Sequence, residues 1–271
     1  MTDGSKQDNG ARQALPRISW RAGESTHGFR DLATEIPVAL VHDAVVTAIR
    51  AATPADLEDL AVGFTLSEGL ADMLEQIQSV EIAAADKGTE ARVWLDAPRS
   101  AQLTALRARA AGPTGAGPAG AEALTEAFRP PVRVVGQLEL DAEDVQIGLR
   151  AFREALTLAL EGSGHGAGFW RPSHGLIAAR EDVDAQNALD KLAGAVARRG
   201  LRRPGMVMTT APLTAELVRR AARISAPILA SAGPPTAPAV RAAEAADMTL
   251  LALARGDGFE LYTRPDRIVG R

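Results

Sequence analysis

No cysteine occurs anywhere in the 271 residues. That one absence removes disulfides, thiolate nucleophiles, persulfide chemistry, iron–sulfur ligation and thiolate zinc sites together. Histidine is scarce as well: His27, His42, His165 and His174 are scattered with no metal-ligand spacing. No stretch approaches the roughly 18 consecutive apolar residues of a membrane helix. The first thirty residues lack the apolar segment of a secretion signal. They read as a polar, poorly ordered arm (1–34) on a cytoplasmic protein. Thirty basic against 34 acidic residues give a net charge of −4, so no global basic field gathers nucleic acid or anionic membrane. Any chemistry therefore rests on oxygen and nitrogen groups, or on a bound cofactor.

What is present suits a globular chain: 46% hydrophobic and 24% charged residues. "EIPVALVHDAVVTAIRAA" (35–52) predicts two strands and a tight turn at His42-Asp43. In "TPADLEDLAVGFTLSEGL" (53–70), Thr53 is a natural N-cap, Pro54 fits the first helical position and Gly69 a stop. Leu57, Leu60, Ala61 and Phe64 share one face of that helix. Two more strands, "SVEIAAAD" and "ARVWLDA", and a helix at 99–111 follow. The helix runs into "PTGAGPAG" (113–120), a stretch with almost no side chains. Beyond residue 132 a long amphipathic helix, "AEDVQIGLRAFREALTLALEG", precedes short apolar strands alternating with helices, the pattern of an α/β sheet. The expected organisation is an N-terminal α+β subdomain (35–107), a Gly/Pro/Ala loop and connector (108–131) and a C-terminal α/β domain (132–271).

In such sheets ligands bind beyond the carboxyl ends of the strands, where helix N-termini present free amides. Three segments qualify. "MTTAPLT" supplies Thr209 and Thr210, "ASAGPPTAP" supplies Ser231, Gly233 and Thr236, and "LARGDG" (253–258) supplies Arg255. Each is also ordinary turn and cap chemistry. In "EDVDAQNALDKLAG", Glu181, Asp182 and Asp184 suit the start of a helix; alternatively Asn187, Asp190 or Lys191 reach a ligand in a cleft. His165 lies in "GSGHGAG", which reads as flexible enough to approach a ligand. Arg198, Arg199, Arg202 and Arg203 read as a solvated helix end.

"ATPADLEDLAVGFTLSEGL", "EDVxxxNALDKLxG" and "TLLALARGDGFELYT" together resemble the FdhD family of formate dehydrogenase accessory proteins, over about residues 35–267. The resemblance implies a cytidine-deaminase-like α/β fold for the C-terminal domain and a homodimer. It implies a sulfur carrier, loaded by a cysteine desulfurase, that serves bis-molybdopterin guanine dinucleotide and a molybdenum-dependent formate dehydrogenase subunit. Other proteins of molybdenum cofactor biosynthesis are further partners on that reading, with neither nucleic acid nor membrane among them. By the same resemblance Leu253, Ala254, Arg255, Gly256, Asp257 and Gly258 meet the cofactor's guanine-dinucleotide portion, with Thr209, Thr210, Thr236, Asn187 and His165 in support.

The departures fall where the chemistry belongs. The family's "RTGCGLCG" is Pro113–Gly120 here, with alanine at both thiol positions, Ala116 and Ala119. Its "EDVGRHNALDK" carries Asp184, Ala185 and Gln186, its "TSGR" ends in Ala211-Pro212, and its "FARGDR" ends in Gly258. A methyl group cannot carry a persulfide. The expected function is thus a cofactor-binding chaperone without sulfur transfer, with no catalytic residue and no metal ligands. The alternatives are a sulfurtransferase working by another route and a cofactor-independent partner of the dehydrogenase.

Overall fold

The computed structural model describes residues 10–111, 130–159, 162–201, 204–255 and 258–270. The described chain opens on a ribbon: β1 (Arg12–Arg21) pairs antiparallel with β2 (Glu24–Ala33). Ala22 and Gly23, at φ 49° and 86°, form the turn between them. Positive φ at both central positions gives the turn whose twist matches paired strands. The expectation of a poorly ordered arm is corrected for residues 12–33. Its turn signal is an Ala-Gly pair, without the Asn or Asp that usually marks a hairpin.

The N-terminal subdomain follows the predicted order: β3 (Ile36–His42), β4 (Val45–Ala52), α1 (Leu57–Ser67), β5 (Ile77–Ala85), β6 (Gly88–Leu95) and α2 (Ala97–Ala111). The sheet order is β4-β3-β6-β5. Leu60, Ala61 and Phe64 of α1 pack on Val38, Leu40, Ala91 and Val93 of the sheet, as the helical spacing predicts. The start of α1 differs. It begins at Leu57 behind a left-handed Asp56, with no side-chain cap. Thr53 is engaged elsewhere: its N–H donates to the Asp182 carboxylate at 3.0 Å, and its hydroxyl accepts from Val183 N at 3.2 Å. A bond to the other subdomain has taken the capping group.

The remainder runs β7 (Leu140–Asp141), α3 (Ala142–Ala155), β8 (His165–Arg171), β9 (Gly175–Asp182), α4 (Ala185–Arg198), β10 (Met206–Thr209), α5 (Ala215–Arg223), β11 (Ile228–Ser231), α6 (Ala237–Ala245), β12 (Thr249–Arg255), β13 (Gly258–Thr263) and β14 (Ile268–Val269). Six strands form one mixed sheet ordered β13-β12-β11-β10-β8-β9. β10, β11 and β12 are parallel; β8, β9 and β13 join antiparallel. Side chains alternate across this sheet. Met206, Met208, Ile228 and Leu251 meet Val145, Leu149 and Phe152 of α3. Val207, Leu229 and Leu250 meet residues of α4, α5 and α6 on the other face. This is a three-layer α/β/α domain.

Two expectations are corrected here. From His165 onward "HGAG" is the buried strand β8, and its glycines exist for packing. A Cβ on Gly166 would lie 2.5 Å from Leu156, and one on Gly168 2.5 Å from the Phe152 ring. Helix α3 stops at Ala155, short of its amphipathic pattern, because the Glu181 carboxylate accepts from the N–H groups of Thr157 (2.9 Å) and Ala159 (2.8 Å).

Candidate functional site

Parallel β10, β11 and β12 end at the same edge, where antiparallel β8 begins. That topology gathers four of the predicted segments. Thr209 and Thr210 leave β10, Ser231 ends β11, Leu253–Arg255 end β12, and His165 opens β8. The Thr210 hydroxyl accepts from Gly166 N at 2.9 Å, and Thr210 N donates to Gly166 O at 3.1 Å, locking the two strand ends together. The Thr209 hydroxyl accepts from Ala211 N at 3.2 Å. Each threonine hydroxyl keeps a hydrogen to donate. Ser231 is fully used: its hydroxyl donates to Ala211 O at 2.6 Å and accepts from Gly233 N at 2.9 Å.

A cavity of about 200 Å³ opens beside these groups, lined by Leu149, Phe152, Leu156, Thr209, Thr210 and Ala254, with Arg153 at its margin. Its wall from α3 belongs to the amphipathic face that the sequence presents as core; Phe152 and Arg153 gave no signal of a site beyond that. Around Ala254, which lines the cavity, β12 carries a bulge between Ala252 and Arg255, where Leu253 adopts φ 49°. A left-handed leucine costs roughly 1 kcal/mol. It is held there by Leu253 N donating to Gly233 O at 3.2 Å. Arg255 is exposed at the strand end. Among the described residues no carboxylate pairs with Arg153 or Arg255. Gly258 opens β13 opposite Arg255, while Gly256 and Asp257 lie outside the described residues, as does the loop holding Ala116 and Ala119.

Other predicted residues are engaged in bonds of the fold. Thr236 caps α6, its hydroxyl accepting from Ala239 N at 3.3 Å. Asn187 is buried, its amide donating to Ala51 O at 2.8 Å and to Asp182 at 3.0 Å. Lys191 is fully buried 2.6 Å from Asp182 and donates to Thr53 O at 2.9 Å. Asp190 pairs with Arg220 at 2.6 Å. These three bind the subdomains together and present nothing to a cleft. Asp184 caps α4, accepting from Gln186 N at 2.8 Å and Asn187 N at 3.0 Å, in line with the capping alternative. Arg198 is corrected: it binds Asp59 at 2.8 Å and Glu58 at 2.6 Å instead of facing only solvent.

Burial pushes the Asp190 carboxyl up to about 6, against the opposing pull of Arg220. Arg220, despite its own burial, is held above its ordinary range by Asp190, Glu68 and Glu216. One guanidinium serves three carboxylates, of which Asp190 is the most deeply buried. A second cavity, of about 530 Å³, lies between the ribbon root and the subdomain junction. Its Glu181 is committed to the backbone beyond α3, and its Arg180 to Asp59 at 2.7 Å. The edge cavity remains the better ligand site, because its threonine hydroxyls each keep a hydrogen to donate and, among the described residues, no carboxylate pairs with Arg153.

Residues 33–269 match the sequence profile of the FdhD/NarQ family. The chain is 41% identical over 262 residues to a protein of Agrobacterium fabrum named "Sulfur carrier protein FdhD", covering 94% of this chain and 95% of that one. A protein of the same name from Brucella abortus is 38% identical over 238 residues, covering 87% of this chain and 88% of that one. Among solved structures, a putative formate dehydrogenase accessory protein from Desulfotalea psychrophila superposes with a TM-score of 0.74. It shares 23% identity, with 96% of this chain and 100% of that chain covered, and supports the fold.

Proposed function

The chain belongs to the FdhD/NarQ family, and from that premise we propose that it is a formate dehydrogenase accessory protein that holds guanine-dinucleotide molybdenum cofactor as cargo without carrying sulfur. The observation that carries this reading is a ligand-ready strand edge in a chain with no thiol. The cavity's about 200 Å³ is small beside the roughly 300–1,000 Å³ of a pocket for a whole ligand. It fits one flat ring of the cargo, with apolar walls for the faces and the Thr209 and Thr210 hydroxyls for ring heteroatoms. The charged remainder then runs over the outer edge. There Arg153 and Arg255 are the cations positioned for phosphate oxygens, and charge-assisted bonds of about 1.5–3 kcal/mol each set the affinity. His165 flanks the same edge.

Sulfur transfer needs a thiolate that accepts a sulfur atom and releases it. The relatives' printed name describes such a carrier. This chain has no atom for that step, so its part in maturation is binding and delivery to the dehydrogenase. The homodimer expected from the resemblance belongs to this proposal too.

The test is to purify the protein from a molybdenum-replete host and assay released GMP and pterin fluorescence. Both are expected in stoichiometric amount. Arg153→Ala should lower retention roughly tenfold or more at unchanged thermal stability, because among the described residues its side chain ties no element to another. Absence of GMP and pterin from folded wild-type protein under every loading condition overturns cofactor binding.

A further inference from the structure

The second cavity, of about 530 Å³, falls within the roughly 300–1,000 Å³ of pockets that enclose a whole small ligand. It also sits where two subdomains meet, a common place for such pockets. Four segments wall it: the ribbon root, the β4–α1 connection, the chain leaving α3 and the end of β9. Alanines from all four line much of it, and their short side chains keep it open.

Part of the polar lining is fixed by the fold. Glu181 is held by the N–H groups of Thr157 and Ala159. Arg180 is held by Asp59, at 2.9 Å from Nε and 2.7 Å from Nη2. Thr53 is 1% exposed, its hydroxyl accepting from Val183 N. What is left for a ligand carries both signs. The Thr53 hydroxyl keeps a hydrogen to donate, and among the described residues nothing bonds to the Thr157 hydroxyl. Asp56 lies 3.5 Å from Arg180, whose nearer partner is Asp59. On the ribbon, Arg12 faces Ala33, Ala14 faces Asp31 and Pro16 faces Phe29. Residues two apart, and cross-strand partners, share a side. The side that carries Pro16, Ile18, Trp20 and Phe29 therefore ends at its root in Arg12 and Asp31, which are diagonal neighbours. Asp31 is exposed and meets no cation among the described residues.

Charge selects the ligand. Two guanidiniums line the cavity against three carboxylates, and Arg180 is already taken by Asp59. A multiply charged anion such as a nucleotide would meet repulsion there, and a plain cation would meet Arg12. A molecule with one group of each sign matches the lining. We propose that this cavity binds a small zwitterion, a free amino acid or a short peptide. Its ammonium rests on Asp31 and Asp56, its carboxylate on Arg12 and the Thr157 hydroxyl, and Thr53 donates to a further oxygen. The site is separate from the strand edge and does not depend on the cargo, so the two readings can fail separately.

Thermal-shift screening of the full chain against the proteinogenic amino acids and a dipeptide library, each at millimolar concentration, is expected to show stabilisation by members of one set. The set that responds identifies the source. In calorimetry, acetylating the amine of the strongest ligand, or amidating its carboxylate, should each weaken binding about tenfold or more. Asp31→Asn and Thr157→Val should do likewise with an unchanged far-ultraviolet spectrum, since Asp31 is an exposed ribbon residue. No stabilisation by either set overturns the proposal. So do blocked forms that bind as well as the free ligand, or an affinity unchanged in both variants. Displacement of the ligand by GMP would place it at the strand edge and overturn the proposal as well.

Discussion

Lys191 and Asp182 lie 2.6 Å apart with neither side chain exposed. The carboxylate also accepts from Thr53 N, Asp184 N and Asn187 Nδ2, so it is satisfied from both subdomains. Removing one partner of such a pair strands a buried charge, whereas the intact pair contributes little net stability. Lys191→Met is expected to cost about 3–5 kcal/mol, read as a lower midpoint in urea denaturation. Asp190 gives a pH signature. Its native value of about 6 stands above its ordinary 3.8, so the folded state holds an extra proton between them. The resulting stabilisation is full below about pH 4 and is lost as pH rises through about 6, a change of order 1–3 kcal/mol. The denaturation midpoint of wild type relative to Asp190→Asn should therefore fall from pH 4 to pH 7. A flat difference would mean that Arg220 keeps the carboxylate ionised throughout.

At the scale of elements, α1 and α4 touch backbone to backbone. A Cβ on Gly63 would sit 1.6 Å from Asp190 O, and one on Gly194 2.0 Å from Asp59 O. No rotamer relieves a clash with main chain, so the helices would have to part and open the polar junction around Lys191. Gly63→Ala is expected to destabilise by more than about 4 kcal/mol or to abolish soluble expression. Gly28→Ala, in the ribbon with nothing within 4 Å of its Cβ, should shift the midpoint little. These positions also show what the sequence could convey. The period of α1 was legible at Leu60, Ala61 and Phe64, because burial on one face writes itself into the spacing. The role of Gly63 was not, since a glycine within a helix signals nothing until its neighbour is known. Thr53 was misread as a cap for the same reason: its partner Asp182 is 129 residues away. At the strand edge, turn chemistry pointed to Thr209 and Thr210, which the topology gathers beside the ends of β11 and β12. Asn187 and Thr236 carried the same residue-type signal and serve packing and capping instead. The ribbon stayed hidden because its apolar side is interleaved with charge, and only register separates the two.

For the whole molecule, the departure that removes the relay chemistry is alanine at Ala116 and Ala119, where the resemblance expects thiols, in a chain that matches the family over residues 33–269. A desulfurase hands over sulfur when a thiolate on the acceptor attacks the enzyme's persulfide, so an acceptor without a thiol has no entry to the reaction. With labelled cysteine and a desulfurase, the wild-type chain is expected to take up no label that survives gel filtration under non-reducing conditions. Ala116→Cys with Ala119→Cys should take up label that dithiothreitol releases. Each single variant separates the two positions, and the thiolate that accepts sulfur is the one whose presence alone suffices. Label on the double variant alone would make thiol loss sufficient to explain the lost relay, leaving the strand edge free to act as a cargo site. Label on wild type would mean that sulfur reaches this protein without a thiol, and the binding-only reading would fall with that result. If neither protein is labelled, docking to the desulfurase has been lost along with the cysteines. The strand edge would then be this chain's remaining link to cofactor maturation, and retention of GMP and pterin the measurement on which its role turns.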